Sequence, residues 1–133
     1  MINASGLEKY MRKLINKARA EEGLKGVKLE RNLNEAAEDH SEDMLDKGYF
    51  SHTGNDGSKP AERMDEAGFD LEGSWRTGEN LAIGTMNGSA SLRDDVDRLF
   101  DMLMDSPGHR ANILSEDFTH VGIGIEVDAY APY

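Results

Sequence analysis

His52, in YFSHTGNDG, and His109, in SPGHRANIL, stand in turn-rich segments where an imidazole is free to do chemistry. Neutral imidazole is a good ligand for zinc and its neighbours, and two histidines are the minimum of most such sites. The two lie far apart in the chain, so only folding would join them. Two glutamates have comparable settings: Glu62 in the first turn of a short helix, and Glu79 at the head of ENLAIG. A carboxylate beside a ligating histidine either binds the metal or accepts the second ring N–H, which orients the ring and raises its basicity. The same residue types would move a proton near neutral pH, since an ordinary histidine has a pKa of about 6.5 and burial raises a glutamate toward it. No nucleophile accompanies them. The chain has no cysteine, and neither Ser51 nor Ser106 has the strand–turn–helix setting of an activated serine. An H-E-x-x-H helix is also missing, so a standard zinc protease is excluded. The bland alternative is that these groups only tie loops to the body of the protein.

Such side chains need a frame, and the hydrophobic pattern predicts one. Leu7, Tyr10, Met11, Leu14, Ile15 and Ala18 recur at helical spacing, behind a Ser5/Glu8 capping box and ahead of a stop at Gly23. Lys9, Arg12, Lys13 and Lys17 fall mostly on the other face, as a solvated helix surface or a small basic patch. An extended piece over 27–29 leads to a second cap at Asn32 with Glu35, and Gly48 ends the helix that follows. His40 shares the inner stripe of that helix with Leu33, Ala36, Ala37 and Met44, and is expected to be a hydrogen-bonded core residue.

The loop 49–59 carries two turn signals, Thr53-Gly54 and Asn55-Asp56-Gly57, too sparse in ligands for a calcium loop. Pro60 opens a short helix that Gly68 closes, and residues 69–77 read as loop around Trp75. Residues 79–84 read as a short strand, with a turn at Asn87-Gly88. Ser91 with Asp94 caps a fourth helix lined by Leu92, Val96, Leu99, Phe100 and Leu103. Pro107 starts one more helical stretch, to Leu114. Finally Val121, Ile123, Ile125 and Val127 alternate with Gly122, Gly124 and Glu126, as in a strand packed on one face. Glycine on the other face predicts the close approach of a second backbone or a helix.

Composition limits the function. At 133 residues the chain is expected to be a single domain, 1–133. It carries 26 acidic against 15 basic residues, a net charge of −11, which argues against nucleic acid and anionic membranes as partners. Without cysteine, the fold does not depend on an oxidising compartment. No apolar run is long enough for a membrane span, and MINASGLEKY lacks the apolar stretch of a signal peptide.

Six segments, in order, give the chain a resemblance to a known family: LNEAAEDHSEDM (33–44), YFSH (49–52), PAERM (60–64), GENLAIG (78–84), SPGHRANIL (106–114) and FTHVGIGIE (118–126). Together they resemble the bacterial branch of the CAP domain, also called SCP or PR-1-like. The resemblance implies an α+β fold, an α-β-α sandwich with a small antiparallel sheet between helical layers. It also implies a cleft holding His52, Glu62, Glu79 and His109. His52 and His109 would be the metal ligands, for zinc or another weakly bound divalent cation. Glu62 and Glu79 would be the candidates for any acid–base role.

By the same resemblance we expect an extracellular or secreted binding module rather than an enzyme, with a small molecule, lipid, sterol, glycan or protein as ligand. A weak metal-assisted hydrolase and a purely structural module of a larger secreted protein are the alternatives. One departure stands out. Members of the family usually continue past the GIGIE-like strand into an aromatic-rich strand, whereas here Tyr130-Ala131-Pro132-Tyr133 follows. A sheet one strand short would expose an edge, so the protein is expected to be a monomer or an edge-strand dimer.

Overall fold

The computed structural model describes residues 4–69, 76–82 and 91–125. Helix α1 spans Ala4–Glu21, strand β1 Lys28–Leu29, α2 Arg31–Lys47, α3 Pro60–Glu66, α4 Leu92–Asp105, α5 Pro107–Ile113 and strand β2 His120–Val121. Most boundaries follow the punctuation of the sequence. Gly23 and Gly48 adopt left-handed φ values of 73° and 69° just past α1 and α2. The Gly48 amide donates to Met44 O, closing the last turn of α2. Ser91 and Asp94 form the expected reciprocal cap of α4, and Ser106-Pro107 both ends α4 and opens α5.

One cap differs from expectation. The N-cap of α2 is Glu30 rather than Asn32. The longer Glu30 carboxylate reaches the Leu33 amide at 2.8 Å, so the helix begins earlier, and Asn32 donates instead to Gly68 O. Glu8 turns its carboxylate inward. It is 3% exposed and accepts from the Ile125 amide at 3.0 Å.

The layers form around one cluster. Leu7 and Met11 of α1, Val96 of α4 and Ile123 are buried together, with Leu99, Phe100, Val121 and Ile125 packed against them. This places α1 and α4 on one side of the segment 120–125. On the other side Gly122 and Gly124 lie directly on α2. A Cβ built on Gly122 would stand 2.1 Å from the carbonyl carbon of Leu33, and one on Gly124 would stand 2.3 Å from that of Ala37. The close approach expected from the glycine face is therefore present, with helix backbone as the neighbour.

β1 and β2 pair in parallel, Lys28 opposite His120 and Leu29 opposite Val121. The Lys28 amide donates to Thr119 O and the Glu30 amide to Val121 O, both at 2.9 Å. The α-β-α arrangement stands, but the resemblance had implied antiparallel strands, and this pair is not. Among the described residues four helices lie between the two strands, so nothing requires the reversal that a tight hairpin would impose.

The ladder also stops short. Beyond Val121, side chains take over the hydrogen bonds a neighbouring strand would have made. The Ile123 amide donates to Asn34 Oδ1 at 2.8 Å, and Gly124 O accepts from Ser41 Oγ at 3.1 Å. Residues 79–82, the described part of the strand expected over 79–84, run without a ladder, and Asn112 Nδ2 donates to Glu79 O at 3.5 Å. The Asn87-Gly88 turn, Trp75, the end of both expected strands and the edge left by an absent last strand lie outside the described residues.

Candidate functional site

The loop between α2 and α3 is fixed from below. His40 is buried, and its Nε2 lies 2.8 Å from Ser51 O. A carbonyl only accepts, so Nε2 carries the proton. His40 is thus the hydrogen-bonded core histidine its stripe predicts. Tyr49 packs edge-on against it, donates its hydroxyl to Asp43 and accepts from the Asn55 amide at 3.0 Å. Burial and the hydrogen bond to Asp43 raise the Tyr49 pKa, while hydrogen bonds from Lys47 and Tyr49 lower that of Asp43. The turn 54–58 closes through Gly54 N to Ser58 O at 2.8 Å. A Cβ at Gly54 would come within 2.5 Å of Ser58 Oγ, so that hydroxyl would have to turn away to admit a side chain.

From this loop His52 reaches the segment 76–82. Its Nδ1 lies 2.8 Å from Glu79 Oε1, leaving Nε2 on the exposed side of the ring. The other carboxylate oxygen, Oε2, accepts from Arg63 Nη2 at 2.8 Å. Arg63 comes from α3, and the same nitrogen donates to His52 O at 3.0 Å while Nη1 donates to Ser58 O at 2.8 Å. The three residues therefore form a closed ring: guanidinium to carboxylate, carboxylate to imidazole, and imidazole backbone to guanidinium. The Arg63 and Glu79 side chains are only 12% and 17% exposed. Charge-assisted bonds so shielded contribute about 1.5–3 kcal/mol each, well above a surface ion pair.

The other expected site residues are placed differently. Glu62 is exposed, and its Oε1 accepts from the Lys59 amide at 3.0 Å, so it caps α3. His109 is half-buried on α5. Its carbonyl accepts from Asn80 Nδ2 at 3.1 Å, and Asn80 Oδ1 accepts from Asn112 Nδ2 at 2.9 Å. Asn80 and Asn112 thus hold α5 against the segment of Glu79, the backbone-binding role expected of them. Arg110 pairs at 3.5 Å with Glu22 at the end of α1, both side chains being about half exposed. Among the described residues no three His, Asp or Glu side chains converge as a metal group.

Sequence reasoning missed Arg63. Its only signal was its place beside Glu62 on a short helix. It also missed Arg19, which is 2% exposed and donates to four carbonyls: Lys25 O at 2.8 Å, Ile113 O at 2.9 Å, Ser115 O at 2.7 Å and Phe118 O at 3.3 Å. This buried cation fixes the end of the helix that carries His109. Burial lowers its pKa, though arginine remains charged under any condition in which the fold survives.

Behind Glu79 lies a cavity of about 330 Å³. Met11 and Ile15 of α1, Leu33 and Ala36 of α2 and Leu99 and Leu103 of α4 form its apolar wall, with Arg63, Arg76, Glu79, Asn80 and Asn112 at its polar end. His52, Glu62 and His109 do not line it. Glu79 is thus the group shared between the cavity and the exposed imidazole.

A family model described as "CAP: Cysteine-rich secretory protein family" matches residues 12–133, nearly the whole chain. The chain belongs to the CAP family. It does so without a single cysteine. The CAP domain is 34% identical over 92% of its length to the Bacillus subtilis protein YkwD, described as uncharacterized. It is 31% identical, over the same share, to YlbC of that organism, described as an uncharacterized membrane protein. It spans only 43% and 32% of those two proteins. Among solved structures it is similar to an extracellular SCP-domain protein of Bacillus anthracis, at TM-score 0.73 and 26% identity, covering 92% of this chain and 37% of that one. An outer surface protein of Borrelia burgdorferi shares the fold at TM-score 0.72 and 16% identity, over 91% and 81% of the two chains.

Proposed function

We infer that this CAP domain is an extracellular binding module. Its ligand is a small apolar or amphipathic molecule seated in the cavity behind Glu79, and a divalent cation is taken up on the outer side at His52 and His109. One observation carries this reading: Glu79 lines the cavity and also holds the His52 ring, so the two places share a carboxylate. The extracellular setting is supported by the Bacillus anthracis relative, which is described as extracellular. Among the described residues no helix is long and apolar enough to cross a membrane.

The donor chemistry fits a cation in a limited way. Nδ1 of His52 is turned to Glu79, the pattern that leaves Nε2 as the ligating atom and makes the carboxylate its orienting partner. Both Glu79 oxygens are engaged, so Glu79 would support a ligand rather than be one. Zinc or a similar ion would be held by the imidazoles of His52 and His109, with water completing its shell, and so weakly. Bound there, it would supply a positive charge for an anionic group of the ligand. A hydrolytic alternative finds no support in the surroundings of His52, where no serine or threonine hydroxyl bonds the ring among the described residues.

Titration with a fluorescent long-chain fatty acid tests the reading. Saturable uptake that Leu103→Trp blocks by filling the cavity supports it. Absence of uptake, or uptake indifferent to that substitution, removes the cavity from the account. Zinc-dependent turnover of an ester or peptide library would favour the hydrolase instead.

A further inference from the structure

The outer face of α1 carries a second feature, which shares no residue with the cavity. Lys9, Arg12, Lys13 and Asn16 stand at helical spacing along this face, and Arg93 in the first turn of α4 lies beside them. With Gly6 and Tyr10 they enclose a concavity of about 490 Å³. Among the described residues seven line it, of which four are cations and none is an acid, in a chain whose net charge is −11. Like charges one helical turn apart, as Lys9 and Lys13 are, weaken a helix, so this grouping is not a device for stabilising α1.

The neighbouring carboxylates are committed elsewhere. Asp97 accepts from the Tyr10 hydroxyl at 2.7 Å, and Asp94 caps its own helix through the Ser91 amide at 3.3 Å. Among the described residues no carboxylate lies within ion-pair distance of Lys9, Arg12, Lys13 or Arg93. Arg93 instead stacks over the Tyr10 ring, its guanidinium carbon 4.4 Å from the centroid. Face-on stacking leaves the in-plane N–H donors of a guanidinium available to an acceptor. Arg12 adds the second observation. Its Nε is shut off from solvent and has no hydrogen-bond partner among the described residues. A buried donor without an acceptor is a cost that the fold carries at this face, so Arg12 is not placed here to satisfy its own hydrogen bonds.

We propose that this concavity is an anion site for a phosphate group, held by Arg12 and Arg93 and supported by Lys9 and Lys13. Phosphate matches the donors because a planar guanidinium offers parallel N–H bonds to two of its oxygens, while ammonium groups add point charge. The group is compact rather than part of a long polyanion, since the surrounding acidic surface repels an extended one. Its source is either a soluble phosphate ester or the headgroup of an anionic lipid.

Calorimetry with pyrophosphate, alongside sedimentation with vesicles of phosphatidylglycerol and phosphatidylcholine in equal parts, tests the site and separates the sources. Saturable binding in either arm, weakened about tenfold or more by Arg12→Gln and by Arg93→Gln and diminished by added salt, is the expected result. Lys9→Gln/Lys13→Gln alters only exposed side chains, so it tests the site even where Arg12→Gln unfolds the protein. Lys47→Gln, which lies elsewhere on the surface, is expected to bind as the native protein does. No binding in either arm, or losses in Lys47→Gln equal to those in the site variants, overturns the proposal.

Discussion

Nδ1 of His52 and Oε1 of Glu79, 27 positions apart in the chain, meet at 2.8 Å. The contact is built from three elements. The α2–α3 loop brings the imidazole, the segment 76–82 brings the carboxylate, and Arg63 of α3 holds both at once. An exposed histidine oriented in this way presents its other nitrogen in a fixed direction, which a freely rotating side chain would not.

Arg63→Met removes the cation that balances Glu79 and frees the His52 and Ser58 carbonyls. Loss of such a shielded network costs about 2–4 kcal/mol. Arg63→Lys is expected to recover only part of this, because one ammonium nitrogen cannot span the Ser58 carbonyl and Glu79 together. Urea denaturation of the three proteins measures it. Equal midpoints would mean that the ring of contacts contributes nothing.

Gly122→Ala and Gly124→Ala would each drive a methyl into the α2 main chain, which has no rotamer to yield. Each is expected to destabilise by about 3 kcal/mol, at the high end for overpacking. A change of melting temperature within error in either variant would refute the close approach of α2.

Those two glycines were legible in the sequence because strand alternation gave them a face and their lack of a side chain gave the reason. His40 was legible in the same way, from its place on an apolar stripe. The helices were legible from their apolar period and from stops such as Gly23 and Gly48, although α2 is capped by Glu30 rather than by the expected Asn32. What escaped was set by contacts between segments distant in the chain. Nothing local marks the reach of the Glu8 carboxylate to the Ile125 amide, 117 positions away, whereas the bond from the Lys59 amide to Glu62 is a local cap. Arg63 and Arg19 bind mainly carbonyl oxygens, which every residue possesses and no sequence pattern marks. The strand expected at 79–84 is not a strand over its described part, 79–82, where the Glu79 carbonyl accepts from the distant Asn112.

Arg19→Lys is expected to behave nearly as badly as Arg19→Met. Four carbonyls in three directions need the breadth of a guanidinium, and leaving them without donors, one in a buried bond and three in part-buried ones, costs about 3 kcal/mol. The same denaturation assay decides it, and a lysine variant as stable as the native protein would contradict the keystone role.

Asp43 governs part of the response to acid. Its folded pKa lies below the ordinary value of 3.8, owing first to the hydrogen bond from Lys47 and then to that from Tyr49. A lowered pKa stabilises the fold above the unfolded value, and the contribution is lost as pH falls through the folded one. Native protein and Asp43→Asn should therefore differ at neutral pH and converge only in acid below the ordinary carboxylate value, once the lowered folded pKa has been passed. A gap that persists unchanged into strong acid would remove Asp43 as the titrating group.

The central claim is that the imidazole held by Glu79 is a ligand-binding group. Calorimetric zinc titration of metal-free protein at neutral pH tests it most directly, beside Glu79→Gln and the double variant His52→Ala/His109→Ala. The account predicts one weak saturable site, weakened about 10- to 100-fold by Glu79→Gln and lost in the double variant. Absence of binding in the native protein, or equal binding in the double variant, would contradict it and leave the ring of His52, Glu79 and Arg63 as a device for holding loops.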